Sequence, residues 1–431
     1  MQPLRVGLCG LGTVAQGVLK ILSENARNIG DRAGRPIVVT QVASRRARPD
    51  VALGDIGFST DVRSIPGHPQ VDVVVELIGG EDTALELQRA ALQAGKPVVT
   101  ANKAVVALHG DDLFDLARQH DVPLCFEAAV AGGIPIITAI TRGLAANRVQ
   151  WLAGIINGTS NYILTAMTEQ GEAFEDALAE AQRLGYAEAD PTFDIEGIDA
   201  AHKLTILAAL AFGMDFRFSE VYTEGISRIS VEDVDYARRL GYRIKHLGLA
   251  RLTAAGVEIR VHPTLVPEYR LLANVNGVMN AIVVHGDATG DTLYYGAGAG
   301  QMPTASAVVA DLVEIARGKA LLPKRGNGAG LEVVPIIASE SAYYLRIPAL
   351  DRPGVFARVA TILAEHNISI ESAEQRAQAI HTDSQQAWVP IVIVTTRVAE
   401  RVMNDALAQV QALSEVVGDI TRIRVDDLDD E

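Results

Sequence analysis

Between Leu4 and Glu127 the chain alternates short apolar runs with amphipathic stretches, the pattern of a parallel sheet wrapped by helices. The apolar runs predict strands at 4–9, 38–43, 73–77, 98–100 and 124–127. Between the first two, Val14, Val18, Ile21 and Leu22 recur at helical spacing, which provides one stripe to lay on a sheet face. From about 131 to 300 the pattern is mixed. Helices are expected at 174–184 and 199–212 and strand-like runs at 151–156 and 257–261; the region reads as α+β, with no strand order. A helix over 304–317, with Val308, Leu312 and Ile315 on one side, is expected to return to the first domain.

The glycine-rich stretch Lys324-Arg325-Gly326-Asn327-Gly328-Ala329-Gly330 then separates off a third pattern. It holds a strand at 343–347, a helix carrying Val355, Val359, Ile362 and Leu363, and strands at 368–375 and 387–394. A helix carrying Val402, Ala406, Val410 and Leu413 and a last strand at 420–425 complete it. This βαββαβ order is the ferredoxin-like arrangement. The end, 426–431, is acidic apart from Leu428 and predicts a solvated, frayed tail.

The length of 431 residues, at about 150 per domain, agrees with three domains. Hydrophobic residues make up 48% and charged ones 21%, enough apolar content to bury a core. An excess of 53 acidic over 38 basic residues, net −15, excludes a nucleic-acid footprint. Cys9 and Cys125 are the only cysteines, and with nine scattered histidines they exclude a disulfide framework and a structural zinc site. The longest uncharged run, 149–168, is broken by Asn157-Gly158-Thr159-Ser160-Asn161 and is no membrane span. With no basic n-region and apolar leader at the start, a cytoplasmic enzyme is expected.

Chemistry first appears at Gly10-Leu11-Gly12-Thr13-Val14-Ala15, between the first strand and first helix. Gly10, Gly12 and Ala15 match G-x-G-x-x-A: a tight turn, close backbone approach to a pyrophosphate, and a tight helix–strand contact. The expected class is α/β with a Rossmann-type doubly wound sheet and a dinucleotide cofactor. The second strand ends Ser44-Arg45-Arg46, without the acid that would accept ribose hydroxyls. Arg45, with Arg46 as second candidate, suits a 2′-phosphate instead, so NADP(H) is expected ahead of NAD(H). Thr100-Ala101-Asn102-Lys103 follows the fourth predicted strand, at the edge where open parallel sheets place ligands.

The densest run is 185–203, where Pro191 and Gly197 are expected to hold the chain out of helix until about Asp199. Asp199 and Lys203 then share a helical face. Such a pair is ordinarily a surface ion pair, but this helix continues into Leu204-Thr205-Ile206-Leu207-Ala208-Ala209-Leu210, so the pair must meet a cavity or close partners. Glu188, Asp190, Asp194, Glu196 and Asp199 also crowd enough negative charge to recognise an ammonium. His202 points elsewhere and reads as structural, and Cys125 as a packed core thiol.

Together these segments resemble homoserine dehydrogenase with a C-terminal ACT domain. The motifs are Gly10 to Val14, Thr100 to Lys103, Ile156 to Leu164, Gly185 to Lys203, and Gly298-Ala299-Gly300 followed by Pro303-Thr304-Ala305. The resemblance implies reversible NAD(P)-dependent interconversion of L-homoserine and L-aspartate 4-semialdehyde, on the route to threonine, methionine and isoleucine. It implies that Lys203 is the general acid/base and that Lys103 supports proton transfer. Gly185, Glu188, Asp194 and Asp199 are implied at the substrate. Gly10, Leu11, Gly12, Thr13, Val14, Arg45, Thr100, Lys103, Gly298 and Gly300 are implied at the cofactor. A sodium ion would take Glu127, Val130, Gly132 and Ile134. L-Threonine, as inhibitor, would take Asp351, Gly354, Asn367 and Ile368. The implied domains are 1–130 for the dinucleotide, with 303–318 packing back, 131–302 for substrate and dimerisation, a linker at 319–341, and a regulatory domain at 342–431. A homodimer or homotetramer is expected, and deletion after Leu331 is expected to leave an active, threonine-insensitive enzyme. Two rivals remain: an aspartate-semialdehyde dehydrogenase, which needs an accessible cysteine, and a non-catalytic amino-acid sensor.

Overall fold

The computed structural model describes residues 2–320, 328, 330–375, 380–381 and 387–429, so the predicted link at 324–330 lies outside the described residues except for Gly328 and Gly330. The first sheet has strands β1 (Leu4–Cys9), β2 (Ile37–Ala43), β3 (Gly57–Ser59), β4 (Val73–Glu76), β5 (Val98–Thr100) and β6 (Leu124–Cys125). They lie in the order β3-β2-β1-β4-β5-β6 with every pair parallel, a doubly wound layout. Its central strands read as apolar runs because both faces are covered: Val6, Leu8, Val73, Val75 and Val99 are all fully buried. Strand β3 was not among the predicted runs, since three edge residues, Gly-Phe-Ser, carry no alternation to detect. The predicted strand at 124–127 ends at Cys125 instead, because Glu127–Ala129 turn into a 3-10 helix.

The Gln301–Ala316 helix lies against the Thr13–Glu24 helix of this first sheet. The approach depends on Gly17, where a Cβ would stand 2.8 Å from both the Ala305 side chain and the Gln301 carbonyl.

The second sheet accounts for the mixed pattern of the middle region. Its strands β7 (Val149–Ile155), β8 (Tyr222–Thr223), β9 (Tyr242–Thr253), β10 (Gly256–Pro267), β11 (Met279–Gly286) and β12 (Gly290–Ala297) belong to the middle of the chain. Strands β13 (Glu340–Leu350), β14 (Ile370–Gln375), β15 (Ile380–His381), β16 (Ala387–Thr395), β17 (Val398–Ala399) and β18 (Thr421–Val425) belong to the C-terminal third. The order β12-β11-β7-β9-β10-β18-β13-β16-β14 makes one continuous sheet of both, joined by the parallel pairs Thr264↔Arg424 and Leu265↔Val425. Strand β9 escaped prediction because Arg243, Lys245, His246 and Arg251 interrupt its apolar pattern, although Lys245 and His246 are buried.

The C-terminal strands β18-β13-β16-β14 with helices Val355–Glu365 and Glu400–Gln411 form the expected ferredoxin-like unit. Period-two alternation splits its strands between two cores. Tyr343, Leu345, Ile347, Ile391 and Ile393 face the unit's own helices. Tyr344, Val392, Val394, Ile423 and Val425 share a core with Ile163, Leu164, Ala177, Ile195, Ile226 and Leu265 of the middle region. The Tyr344 hydroxyl and the Arg346 guanidinium both donate to Asp233, at 3.1 and 2.6 Å.

The acidic tail is not frayed as expected at its beginning. Asp426 sits 3.5 Å from Arg251 and 3.6 Å from Arg260, and Leu428 is buried in the core with Trp151, Leu247 and Leu249. One apolar residue, the buried Arg260 and the half-buried Arg251 anchor the chain; residues 430–431 lie outside the described residues. Among the described residues no helix is long and apolar enough to cross a membrane.

Candidate active site

Asp199 organises the site. It enters on the second residue of the Ile198–Phe212 helix, which starts from Gly197 at φ 83°; a Cβ there would press on Thr223, His246 and Val261 at 3.0–3.1 Å. The preceding segment is not free of helix as expected: Thr192–Ile195 form one short turn, within which Asp194 lies. One turn beyond Asp199, Lys203 donates to Asp199 Oδ2 at 2.7 Å and to the Ile156 carbonyl at 2.7 Å. Lys103 approaches Asp199 Oδ1 at 2.8 Å from the nucleotide-binding unit. Burial would push the Asp199 carboxyl up, but the Lys203 and Lys103 ammoniums outweigh it and hold the group well below the usual carboxylate range.

Lys103 is the first residue of the Lys103–Gln119 helix, directly beyond β5. The Asn102 side chain caps that helix by accepting from the Val105 amide at 3.2 Å, and its own amide donates to the Gly80 carbonyl at 2.7 Å. Behind it, Thr100 is fully buried: its hydroxyl donates to Glu76 at 2.6 Å and accepts from the Asn102 amide at 3.0 Å. The Thr100 side chain thus braces the loop that aims Lys103. Phe193 lies under the Lys103 ammonium, 5.5 Å from ring centre to Nζ. His202 stacks on Phe218 at 4.2 Å, and burial together with Lys103 pushes its imidazole toward the neutral form, in keeping with a structural role.

The residue that sequence reasoning left out of the site is Asn157. Its amide donates to Asp194 Oδ1 and to Asp199 Oδ2, each at 2.8 Å, while its carbonyl oxygen accepts from the Ser160 amide at 2.8 Å. The available signal was an Asn at the predicted start of a helix, Gly158–Gln170, within a conspicuous polar motif. The Asp194 carboxyl is pushed up by burial and by Asp199, against the pull of Asn157.

The other predicted substrate residues sit beside this group rather than in it. Gly185, at φ 77°, closes the Phe174–Arg183 helix, and Glu188 is exposed on the loop that follows. The Thr159 hydroxyl donates to the Tyr186 carbonyl at 2.8 Å and ties that loop to the wall carrying Asn157.

The fingerprint has the form a dinucleotide requires. Gly10 stands at φ 108°, where a Cβ would meet the Leu77 carbonyl at 2.6 Å. Gly12 has open space at the same position and caps the Thr13–Glu24 helix with no side-chain bond, so the amides of Thr13 and Val14 face outward from the helix start. Leu11 is buried against the sheet, while Arg45 and Arg46 are exposed past β2. Gly298 packs its carbonyl 2.6 Å from where a Gly132 Cβ would stand, and Gly300, at φ 120°, starts the helix that returns to the first sheet.

The proposed cation loop is closed by its own carboxylate. Glu127 accepts from the Ile137 amide at 2.8 Å and from the Thr138 amide and hydroxyl at 2.9 and 2.6 Å. Burial pushes its carboxyl up against these bonds. The chain then turns through Ala131 at φ 55° and Gly132 at φ 48°, between buried Val130 and Ile134. Among the described residues no three His, Cys, Asp or Glu side chains cluster as metal ligands.

The predicted effector residues are not together. Asp351 and Gly354 precede the Val355–Glu365 helix and Asn367 and Ile368 follow it, about 16 Å apart by helical rise. Cys9 is buried and Cys125 half-buried, and burial pushes both thiols away from the thiolate.

A doubly wound domain with an open dinucleotide turn, two lysines sharing a buried carboxylate at the sheet's carboxyl edge, and a ferredoxin-like C-terminal unit define a nicotinamide-dependent oxidoreductase class. Family profiles agree region by region. "Homoserine dehydrogenase, NAD binding domain" matches 10–127, "Homoserine dehydrogenase" matches 135–313 and "ACT domain" matches 343–415. A homoserine dehydrogenase of Pseudomonas aeruginosa is 56% identical over 437 residues, covering 99% of this chain and all of that one. The crystal structure of a homoserine dehydrogenase from Thiobacillus denitrificans superposes with a TM-score of 0.93 at 52% identity, covering 99% of both chains. A hyperthermophilic archaeal homoserine dehydrogenase in complex with NADPH gives 0.61 at 25% identity, over 73% of this chain and 97% of that one. The chain belongs to the homoserine dehydrogenase family and carries a C-terminal ACT domain.

Proposed function

We propose that the chain oxidises L-homoserine reversibly to L-aspartate 4-semialdehyde with NADP(H), in the supply of threonine, methionine and isoleucine in the cytoplasm. The observation that carries the assignment of roles is the Lys103–Asp199–Lys203 cluster. As an ammonium Lys203 has three N–H groups, and Asp199 and Ile156 engage two, leaving one direction for the substrate oxygen. In oxidation the neutral amine keeps those two N–H bonds, turns its lone pair to the third direction and takes the hydroxyl proton as the carbonyl forms; in reduction the ammonium returns it. Lys103 supports that transfer from the other oxygen of Asp199, which keeps both amines in register. Glu188 and Asp194 bind the substrate ammonium, and Gly185 lines the same side. The nicotinamide, when bound, supplies the hydride acceptor. Gly10, Gly12, Thr13 and Val14 would hold its pyrophosphate, with Thr100, Gly298 and Gly300 framing the site. The direct test is homoserine-dependent reduction of NADP+ by the purified full chain; absence of that reaction rejects the reading.

Arg45 is proposed to hold the 2′-phosphate. Arg45→Glu should raise KM for NADPH about tenfold or more, the loss of one charge-assisted contact, and leave KM for NADH within about twofold. Equal effects on both would discard the assignment.

L-Threonine is proposed as inhibitor, bound between two copies of the ACT domain. The separation of Asp351 and Gly354 from Asn367 and Ile368 supports a shared site, since one copy presents only part of the contact set. The exposed Leu293 and Tyr295 on edge strand β12 favour pairing of subunits as a homodimer or larger assembly. A sodium ion is proposed at the 127–134 loop, where backbone carbonyls of Val130, Gly132 and Ile134 would supply most ligands and Glu127 its remaining lone pairs.

A further inference from the structure

The NGT segment contributes a group to the proton-transfer site that no role above uses. We propose that Asn157 is a positioning residue for Lys203: its amide, shared between Asp194 and the Asp199 oxygen that Lys203 uses, weakens the hold of Asp199 on the Lys203 proton. The inference rests on Lys203 as the proton-transfer group.

The geometry leaves Asn157 no freedom. Both of its N–H groups are used, on Asp194 Oδ1 and Asp199 Oδ2, and its oxygen accepts from the Ser160 amide. The partners fix which end is nitrogen, because two carboxylates need donors and a backbone amide needs an acceptor. The side chain is buried and is also the N-cap of the Gly158–Gln170 helix, so a rigid element holds it. At Asp199 the consequence is uneven: Oδ1 meets Lys103, whereas Oδ2 serves Lys203 and the Asn157 amide together. Each added donor lowers the basicity of the oxygen that receives it. With Asn157 present, the carboxylate still aims Lys203 but attracts its proton less. The same amide separates Asp194 from Asp199, which otherwise repel.

The charged and titratable groups around Asp199 are Lys103 from its helix start, Asp194 from the short turn before, Lys203 on the same helix, and His202 and His246, both pushed toward the neutral form by burial. Changing Asn157 removes a donor from Asp194 and Asp199 and leaves the contacts of Lys103, His202 and His246 in place, so a shift in pH dependence reports the loss of the amide at this carboxylate pair.

The test uses the full chain carrying Asn157→Ser or Asn157→Asp. Both keep an acceptor for the Ser160 amide, and Ser is itself a good N-cap. Ser loses the two-donor bridge; Asp is the same shape with no donor. The pH profile of kcat/KM for homoserine oxidation should rise at higher pH, its midpoint moving up by about one unit in the Ser variant, as expected for one hydrogen bond to a charged group, and further in the Asp variant. KM for NADP+ should stay within about twofold. An unmoved midpoint in Asn157→Ser, with kcat/KM lowered equally at every pH, overturns the proposal and leaves Asn157 a helix cap. Should Asn157→Asp not fold, the Ser variant decides alone. An active Lys203→Ala enzyme sinks the parent reading; an inactive one with unmoved Asn157 profiles sinks only this proposal.

Discussion

Lys203→Ala should lower kcat for homoserine oxidation by about 100-fold to 10,000-fold, the range general acid–base catalysis supplies, while the Kd for NADPH changes less than about twofold. The two readouts separate because Lys203 contacts Asp199 and Ile156 and none of the fingerprint residues. The fold should survive the change, since Asp199 keeps Lys103 and Asn157 as partners and is not stranded as a buried charge. Steady-state kinetics and a fluorescence titration of NADPH measure both quantities. A variant within tenfold of the unaltered kcat would remove Lys203 from the mechanism. So would a loss of activity matched by an equal loss of NADPH affinity.

Truncation after Leu331 should abolish activity by unfolding the protein rather than free it from threonine. The sequence suggests a detachable regulatory domain, but the structure gives that domain a share of the middle region's hydrophobic core. Tyr344, Val392, Val394, Ile423 and Val425 bury one face against the middle region. At about 1.5–3 kcal/mol for each large apolar side chain, that burial is of the same order as a domain's whole stability. Removing β18 also uncovers the edge of β10 and takes away Arg424. This guanidinium donates to Glu224 at 2.7 Å and to Glu400 at 2.6 Å. Glu224 adjoins the segment whose Ile226 amide donates to the Ile195 carbonyl at 2.8 Å, just before the Asp199 helix. The expected result for the 1–331 fragment is insoluble protein, or soluble protein without a cooperative thermal transition. A soluble fragment with full kcat would show that the shared face is dispensable.

What was legible in the chain follows from how local each signal is. The doubly wound sheet showed because buried parallel strands are continuous apolar runs and the glycine fingerprint occupies adjacent positions. The ferredoxin-like unit showed through helix and strand periods within one contiguous stretch. Lys203 and Asp199 could be paired because four residues make one helical turn. Strand β9 was hidden by Lys245, whose ammonium is buried on the Val275 carbonyl and Asn276, contacts that only the folded chain makes. The merger of two sheets at Thr264 and Arg424 joins residues remote in sequence, beyond any periodic pattern. The third arm of the Asp199 cluster was visible as Asn157, but its direction depends on how the 192–195 turn folds back. The tail misled for a simpler reason: acids imply solvent unless guanidiniums wait in the fold.

The most direct measurement is a crystal structure of the full chain with homoserine and NADP+ bound together. The account predicts the substrate hydroxyl within about 3 Å of Lys203 Nζ, hydrogen-bond distance for proton transfer, with its ammonium toward Glu188 and Asp194. Homoserine bound elsewhere, with Lys203 still closed on Asp199 and Ile156 and no substrate oxygen in reach, would contradict it.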